Sequence, residues 1–122
     1  MINEGVRLIQ ELYLADLKKK KTFIQSVFSH EVAKTEIAQL SKNEDKAKNL
    51  FERLMKNNDV VLQHPDVFLL KKVYMNVENY LSSIEKIFPV GYEMDNHSHI
   101  YQKELAIKKE MLKSVFRKFI SP

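Results

Sequence analysis

The feature that most constrains the fold of this chain is a long stretch without glycine or proline. The sequence contains two glycines and three prolines, and neither type occurs in the 59 residues from Val6 to His64. Glycine and proline are the residues that interrupt helices most strongly. The stretch therefore predicts long helices that are joined by short polar corners.

The N-terminal third of the chain carries an apolar stripe at helical spacing, which begins after Asn3, a residue type favoured at helix starts. Two interpretations of residues 4–40 stay open. Thr22 and Gln25 have the spacing of a capping box, which predicts a new helix after the lysine run 18–21. Lysine is also a good helix former, which favours one continuous helix instead.

Three further helices are predicted in the rest of the chain. Ser41 begins a second capping-box pattern, and the amphipathic segment after it predicts a helix over residues 42–57. Pro65 is expected as the first residue of a helix over residues 65–88. Proline has no backbone N–H, and at the first position of a helix that N–H would have no hydrogen-bond partner within the helix. A last helix is predicted over residues 99–120.

These helices predict an all-α fold, an antiparallel bundle of four to five helices in a single domain over residues 1–122. The helix over residues 65–88 is expected at the centre, touched by those over 42–57 and 99–120, because its apolar stripe is broad. The predicted core consists of ten apolar residues: Leu50, Phe51, Leu54, Val73, Val77, Leu81, Ile84, Leu105, Leu112 and Phe116.

Composition excludes several kinds of chemistry. The sequence has no cysteine, which excludes disulfides, thiolate zinc sites and cysteine nucleophiles. It has no glycine-rich phosphate loop and no evident set of nucleophile, base and acid, so we expect a protein that is not an enzyme and has no cofactor. No apolar run approaches the roughly 20 residues that cross a bilayer, and the N-terminus lacks a signal-peptide pattern, so we expect a cytoplasmic protein without a membrane span.

The charges of the chain are unevenly distributed. The net charge is +4, with +2 over residues 1–21, +4 over residues 102–122 and −2 over the residues between them. Basic ends around a mildly acidic centre favour partners that carry phosphate groups or an acidic protein surface. The charge pattern therefore indicates an anionic partner.

The last predicted helix has a basic side. Lys103, Lys109, Lys113 and Arg117 fall on that side at about 100° per residue, and Glu110 interrupts them. These residues are a candidate site for nucleic-acid phosphates or for an acidic protein partner. A solvated helix face, whose cations complement the helix C-terminus, explains the same pattern.

The polar segment that leads into the last predicted helix contains His97 and ends at His99, the first residue of that helix. Imidazole binds divalent metals, but zinc needs further ligands, and the sequence has no motif that supplies them. Histidines that cap the last helix are the other interpretation of the pair. We therefore assign no metal ligands, and the sequence leaves open whether these two histidines bind metal.

Apolar helical stripes are plentiful in this sequence, whereas catalytic motifs are lacking. We therefore expect a non-enzymatic helical binding protein, such as an adaptor, a chaperone, an inhibitor or an immunity-type protein, that acts through a helix surface. The alternative is a nucleic-acid-binding protein that uses the basic side of the last helix. The apolar spacing over residues 70–87 also fits a coiled-coil seam, which predicts a homodimer.

Overall fold

Four α-helices make up most of the computed structural model, which describes residues 2–85 and 96–120. Helix α1 spans Ile2–Val27, α2 spans His30–Lys56, α3 spans His64–Glu85 and α4 spans Asn96–Phe119. Neither of the two described ranges contains a β-strand. The predicted all-α class is confirmed, and four helices agree with the predicted number.

The break between the first two helices lies later than the lysine run. Helix α1 continues through Lys18 and Thr22 to Val27, and only Phe28 and Ser29 connect it to α2. The helix start predicted at Thr22 is wrong, because its hydroxyl donates a hydrogen bond to the carbonyl of Lys18, one turn earlier (3.0 Å). The lysines extend α1 as good helix formers. Residues 4–40 therefore belong to two helices, as one of the two interpretations held, but the break lies at Phe28 and Ser29.

Ser29 begins α2 as its N-cap residue. Its backbone is extended (φ −61°, ψ 158°), and its carbonyl accepts a hydrogen bond from the amide of Ala33 (2.8 Å). The helix start predicted at Ser41 is wrong, because Ser41 lies in the interior of α2, which runs from His30 to Lys56. A serine followed by the acidic Glu31 in the first turn is the sequence signal for the true start.

Helix α1 contacts each of the other three helices. Its buried side follows the helical repeat, with Val6, Ile9, Tyr13 and Leu17 each at most 4% exposed. Helix α3 also contacts the other helices, but α1 has the most extensive contacts, so the predicted central position of α3 is wrong. One core cluster joins all four helices: Val6, Ile9, Tyr13, Leu17, Ala47, Leu50, Phe51, Leu54, Leu70, Val73, Val77, Leu81, Leu105, Leu112 and Val115.

Eight of the ten predicted core residues are buried. The other two are half-buried, Ile84 near the end of α3 and Phe116 on α4. The ring centroid of Phe116 lies 4.9 Å from that of Tyr74, so Phe116 packs at the edge of the core. The apolar stripe of α3 contributes Leu70 and Val77 to the same core, so these residues are covered within one chain.

Helices α1 and α4 approach each other closely at Gly5. A Cβ atom on Gly5 would lie 2.5 Å from Val115 Cγ2 and 3.3 Å from the carbonyl oxygen of Met111. The lack of space, and not an unusual backbone conformation, therefore requires glycine at this position of α1. Close to the end of α4, Lys118 Nζ lies 3.5 Å from Asp59 Oδ1 in the α2–α3 connection.

The ends of the last two helices differ from the predicted ones. Helix α3 begins at His64, one residue before Pro65. The predicted end of this helix at residue 88, and the loop after it to residue 95, lie outside the described residues. Helix α4 begins at Asn96 instead of residue 99, because polar residues 96–98 form its first turn. None of the described helices is both long enough and apolar enough to cross a membrane.

Candidate functional site

A long groove runs along α3, with α2 opposite it at one end and α1, joined by Leu40 of α2, opposite it at the other end. It consists of two adjoining clefts of about 560 Å³ and about 520 Å³, which are both lined by Asn76. We call it the α2–α3 groove. Its lining residues on α3 run from Pro65 to Ser83, 18 residues later, which corresponds to about 27 Å at 1.5 Å per residue. A groove of this length is large enough to hold a helical segment of another protein.

The groove exists because polar side chains occupy the facing sides of α2 and α3. On α2 they are Asn43, Lys46, Asn49 and Arg53. On α3 they are Lys72 and Asn76, and Asn79 and Ser83 continue this polar stripe along the first cleft, where α2 contributes Leu40. Facing amides and cations cannot form a dry apolar seam, since burying them without partners is costly. The contact between α2 and α3 is therefore less extensive than the contact that α1 makes with either of them.

Tyr13 of α1 forms the floor of the second cleft. Burial raises the pKa of its hydroxyl above the usual value, and the carboxylates of Asp16 and Glu44 raise this pKa further. The hydroxyl therefore stays protonated at neutral pH and can donate a hydrogen bond. It is a neutral polar group at the base of a cationic cleft.

Asp16, one turn further along α1, lines the first cleft and is only 8% exposed. Lys20 Nζ lies 2.9 Å from Asp16 Oδ2, so the two side chains form an ion pair across one turn of the helix. This carboxylate oxygen is shielded from solvent. Asp16 therefore brings a buried carboxylate that is already paired to the floor of the groove.

Apolar side chains are accessible at the end of the groove near the corner between α1 and α2. Phe23 is 60% exposed, and Ile24, Leu40 and Tyr80 are half-buried around the same cleft. Val27, one turn beyond Phe23 on α1, is exposed as well. Exposed aromatic residues with apolar neighbours are typical of surfaces that bind another protein.

The opposite end of the groove is cationic and contains a two-pronged ion pair. Arg53 at the end of α2 donates two hydrogen bonds to the carboxylate of Asp66 at the start of α3. These hydrogen bonds lower the pKa of Asp66 and raise that of Arg53. Beside them, Lys72 Nζ lies 4.7 Å from the ring centroid of Phe68, which is exposed.

The groove has an excess of positive charge. Its two carboxylates, Asp16 and Asp66, are each paired with a cation of the groove itself. Lys19, Lys46 and Lys72 also line the groove, and within the described ranges none of these lysines has a carboxylate partner. An anionic ligand would therefore meet uncompensated lysines in both clefts.

Two of the four residues on the predicted basic side of α4 line the same cleft. Lys109 and Lys113 both line a small cleft of about 140 Å³ against α3, where Lys109 is half-buried. Lys113 Nζ lies 3.5 Å from the carboxylate of Glu110, which offsets part of its charge. Lys103 and Arg117 are exposed and line no part of that cleft.

His97 and His99 lie in the first turns of α4, and their side chains are outside the described residues. In the side chains that the structure does describe, no group of three or more histidines and carboxylates could hold a metal ion. The lack of a metal site therefore stays a prediction.

Comparison with known proteins gives no information on function. No protein family matches the chain, and comparisons with curated proteins and with solved structures gave no match. The side chains of the groove are therefore the basis for assigning a function.

The groove is not among the features that the sequence predicted. Its signal is the polar stripe at Lys72, Asn76, Asn79 and Ser83, which has helical spacing and lies beside the apolar stripe of α3. A polar stripe ordinarily marks a solvated helix face. It indicates a groove here only because a second polar stripe on α2 faces it.

Proposed function

We propose that this chain is a non-enzymatic binding protein that acts through a helix surface, and that this surface is the α2–α3 groove. One observation carries the proposal, the exposed Phe23 with half-buried apolar neighbours in a groove that also holds unpaired lysines. Binding surfaces commonly combine an aromatic anchor with a polar rim in this way. An adaptor, a chaperone, an inhibitor and an immunity-type protein would all use such a groove.

The titratable groups of the groove support binding more than catalysis. The pKa of Tyr13 is raised and that of Asp66 is lowered, so both groups titrate further from neutral pH than usual. A general acid or base works best when its pKa lies near the working pH. We therefore assign no reaction to the groove.

We also infer the predicted antiparallel arrangement of neighbouring helices. Near the start of α1, Asn3 Oδ1 accepts a hydrogen bond from Asn58 Nδ2, just after the end of α2 (2.9 Å). Near the end of α1, Lys21 Nζ lies 3.8 Å from Glu44 Oε2 on α2. These two contacts support opposite directions for α1 and α2. In such a bundle, a partner helix in the α2–α3 groove would take the position of a fifth helix.

Capture of proteins from native lysate tests the proposal when two matched variants are compared with the wild type. Phe23 and Ile107 are 60% and 61% exposed, but Ile107 lies on α4 and lines neither cleft of the groove. After nuclease treatment, we expect the wild type and Ile107→Asp to retain a common set of partners that Phe23→Asp loses. Equal capture by all three proteins, or equal loss by both variants, would contradict the proposal.

Nucleic-acid binding through α4 is the second candidate function. The observation in its favour is the exposure of Lys103 and Arg117 on the basic side of this helix. If α4 binds a duplex, the affinity should fall steeply with salt. Replacing Lys109, Lys113 and Arg117 by glutamate should weaken the binding and flatten this salt dependence. No binding of a DNA or RNA duplex at low salt would exclude this function.

A homodimer and a cytoplasmic location both stay proposals. The predicted dimer seam includes Leu70 and Val77, which are buried within one chain, so a homodimer would need another surface. Analytical ultracentrifugation over a range of concentrations tests the dimer, and a monomer at every concentration would exclude it.

A further inference from the structure

We infer that the occupant of the α2–α3 groove is an acidic amphipathic α-helix of a partner protein. The inference rests on the proposed function, because it names the chemistry of the partner that binds the same groove. It depends on the shape of the groove, on its apolar end and on its charge.

The shape of the groove favours a helix over an extended segment. The groove is built from helices, whose interior amides and carbonyls are already hydrogen-bonded within each helix. An extended peptide would find few backbone partners there, whereas a helix satisfies its own backbone groups. The length of the groove from Pro65 to Ser83 matches about 18 helical residues at 1.5 Å per residue.

The apolar end of the groove supplies an anchor for the occupant. Phe23, Ile24 and Tyr80 line a cleft of about 560 Å³ that is open on one side. An amphipathic helix presents apolar side chains along one face at intervals of three and four residues, which suits a one-sided cleft. The occupant therefore needs large apolar residues in the part that meets Phe23.

The lysines of the groove favour an acidic occupant. Lys19 lies at the apolar end, and Lys46 and Lys72 line the second cleft from α2 and α3. Because the described residues provide no carboxylate for these lysines, acidic residues beside the apolar stripe of the occupant would form new ion pairs. A basic helix would instead place like charges together, which disfavours it.

The groove is less suited to nucleic acid than to a helix. Asp16 lies buried at the floor of the first cleft and is paired with Lys20, so one cation of this cleft is already neutralised and is not free for a phosphate. A protein helix can cover Ile24, Leu40 and Tyr80 of this cleft with its own apolar stripe, which a phosphate backbone cannot do. The aromatic ring of Phe23 then packs against the apolar stripe of the same helix.

Three synthetic helical peptides test the inference. Each has about 18 residues to match the length of the groove, the same leucine stripe, and glutamate, glutamine or lysine in the flanking positions. We expect the glutamate peptide to bind at low salt about tenfold more tightly than the lysine peptide, as three exposed ion pairs would allow. Amide chemical shifts in the labelled protein should change around Phe23 and Lys72 and not around Ile107.

A charge-reversed variant and a matched control show whether the groove lysines cause the preference. The variant changes Lys19, Lys46 and Lys72 to glutamate, and we expect it to prefer the lysine peptide. The control changes three other lysines of the same helices to glutamate, which are exposed and line neither cleft: Lys18, Lys48 and Lys71. We expect the control to keep the peptide preference of the wild type. A circular dichroism melt confirms that both proteins are folded.

The other outcomes separate this inference from the proposed function. If the glutamine or lysine peptide binds the groove as tightly as the glutamate peptide, the acidic partner is wrong and the binding function stands. If an oligonucleotide duplex shifts the groove amides and no peptide does, the occupant is nucleic acid. If no probe shifts these amides, the inference also fails, whereas the proposed function is tested separately by the capture experiment with Phe23→Asp and Ile107→Asp.

Discussion

Arg53 at the end of α2 and Asp66 at the start of α3 form a two-pronged ion pair across the connection between these helices. Nη1 of the guanidinium lies 2.7 Å from Oδ2 of the carboxylate, and Nη2 lies 2.9 Å from Oδ1. Bidentate pairs of this kind fix geometry as well as adding stability. Because α2 and α3 face each other through polar side chains, this pair sets their separation at one end of the groove.

The stability that Asp66 confers should depend on pH. Hydrogen bonding to Arg53 lowers the pKa of Asp66 in the folded protein below the ordinary value of 3.8. The contribution is therefore complete above that value and is lost as the pH falls through the folded pKa. Asp66→Asn should reduce the free energy of unfolding by about 0.5–1 kcal/mol at neutral pH, as expected for an exposed ion pair, and by less in strong acid. Urea unfolding at neutral pH and in strong acid measures the difference in unfolding free energy between the wild type and Asp66→Asn. An equal difference at the two pH values would contradict the ion pair with Arg53.

Gly5→Ala should destabilise the protein even though alanine favours helices. Helix propensity alone favours alanine by about 1 kcal/mol. The new Cβ would lie 2.5 Å from Val115 Cγ2, and overpacking typically costs about 1–3 kcal/mol. Val115→Ala removes the clashing methyl group, so Gly5→Ala should cost less in that background. Strict additivity in a double-mutant cycle of unfolding free energies would show that the two helices do not meet as described.

Truncation of two phenylalanines should reduce the stability of the protein to very different extents. Phe51→Ala should cost about 3–5 kcal/mol of unfolding free energy, because the side chain is 1% exposed in the core. Phe23→Ala should cost less than about 1 kcal/mol, because most of the side chain is in water. Chemical denaturation of both variants measures the difference, and a large loss on truncating Phe23 would mean that it belongs to the fold and is not free to bind a partner.

Two proline substitutions test the continuity of α2. Lys42→Pro lies inside α2 and should cost about 3 kcal/mol or more, because it removes a helical hydrogen bond and clashes with the preceding turn. His30→Pro lies at the first helical position after an extended Ser29 and should be nearly neutral. Thermal melts compare the two variants. If α2 began at Ser41, Lys42→Pro would be the tolerated change.

The sequence predicted buried residues better than it predicted their arrangement. Leu50, Phe51 and Leu54 are buried as expected, because an apolar stripe at helical spacing is a local property of the sequence. The central position of α1 depends on how the apolar stripes of the four helices pack against one another. No local pattern distinguishes the stripe of α1, with Ile9 and Leu17, from the stripe of α3. The predicted centre was therefore wrong although the stripes themselves were recognised.

Helix ends were predicted poorly where one local pattern has two structural solutions. A threonine such as Thr22 can cap a helix, but inside a helix its hydroxyl can also donate to the carbonyl four residues earlier, as it does to Lys18. Tertiary packing decides between the two, and the true start at Ser29 follows the packed helices. The groove was not predictable because it depends on the polar stripes of α2 and α3 facing each other.

Site-specific photo-crosslinking tests the binding groove most directly. Benzoylphenylalanine replaces Phe23 in one variant and Ile107 in a second variant. The two positions are almost equally exposed, at 60% and 61%. In native lysate, we expect crosslinks to discrete partner proteins from position 23 and none from position 107. Crosslinks from position 107 alone, or the same crosslinks from both positions, would contradict the α2–α3 groove as the binding surface.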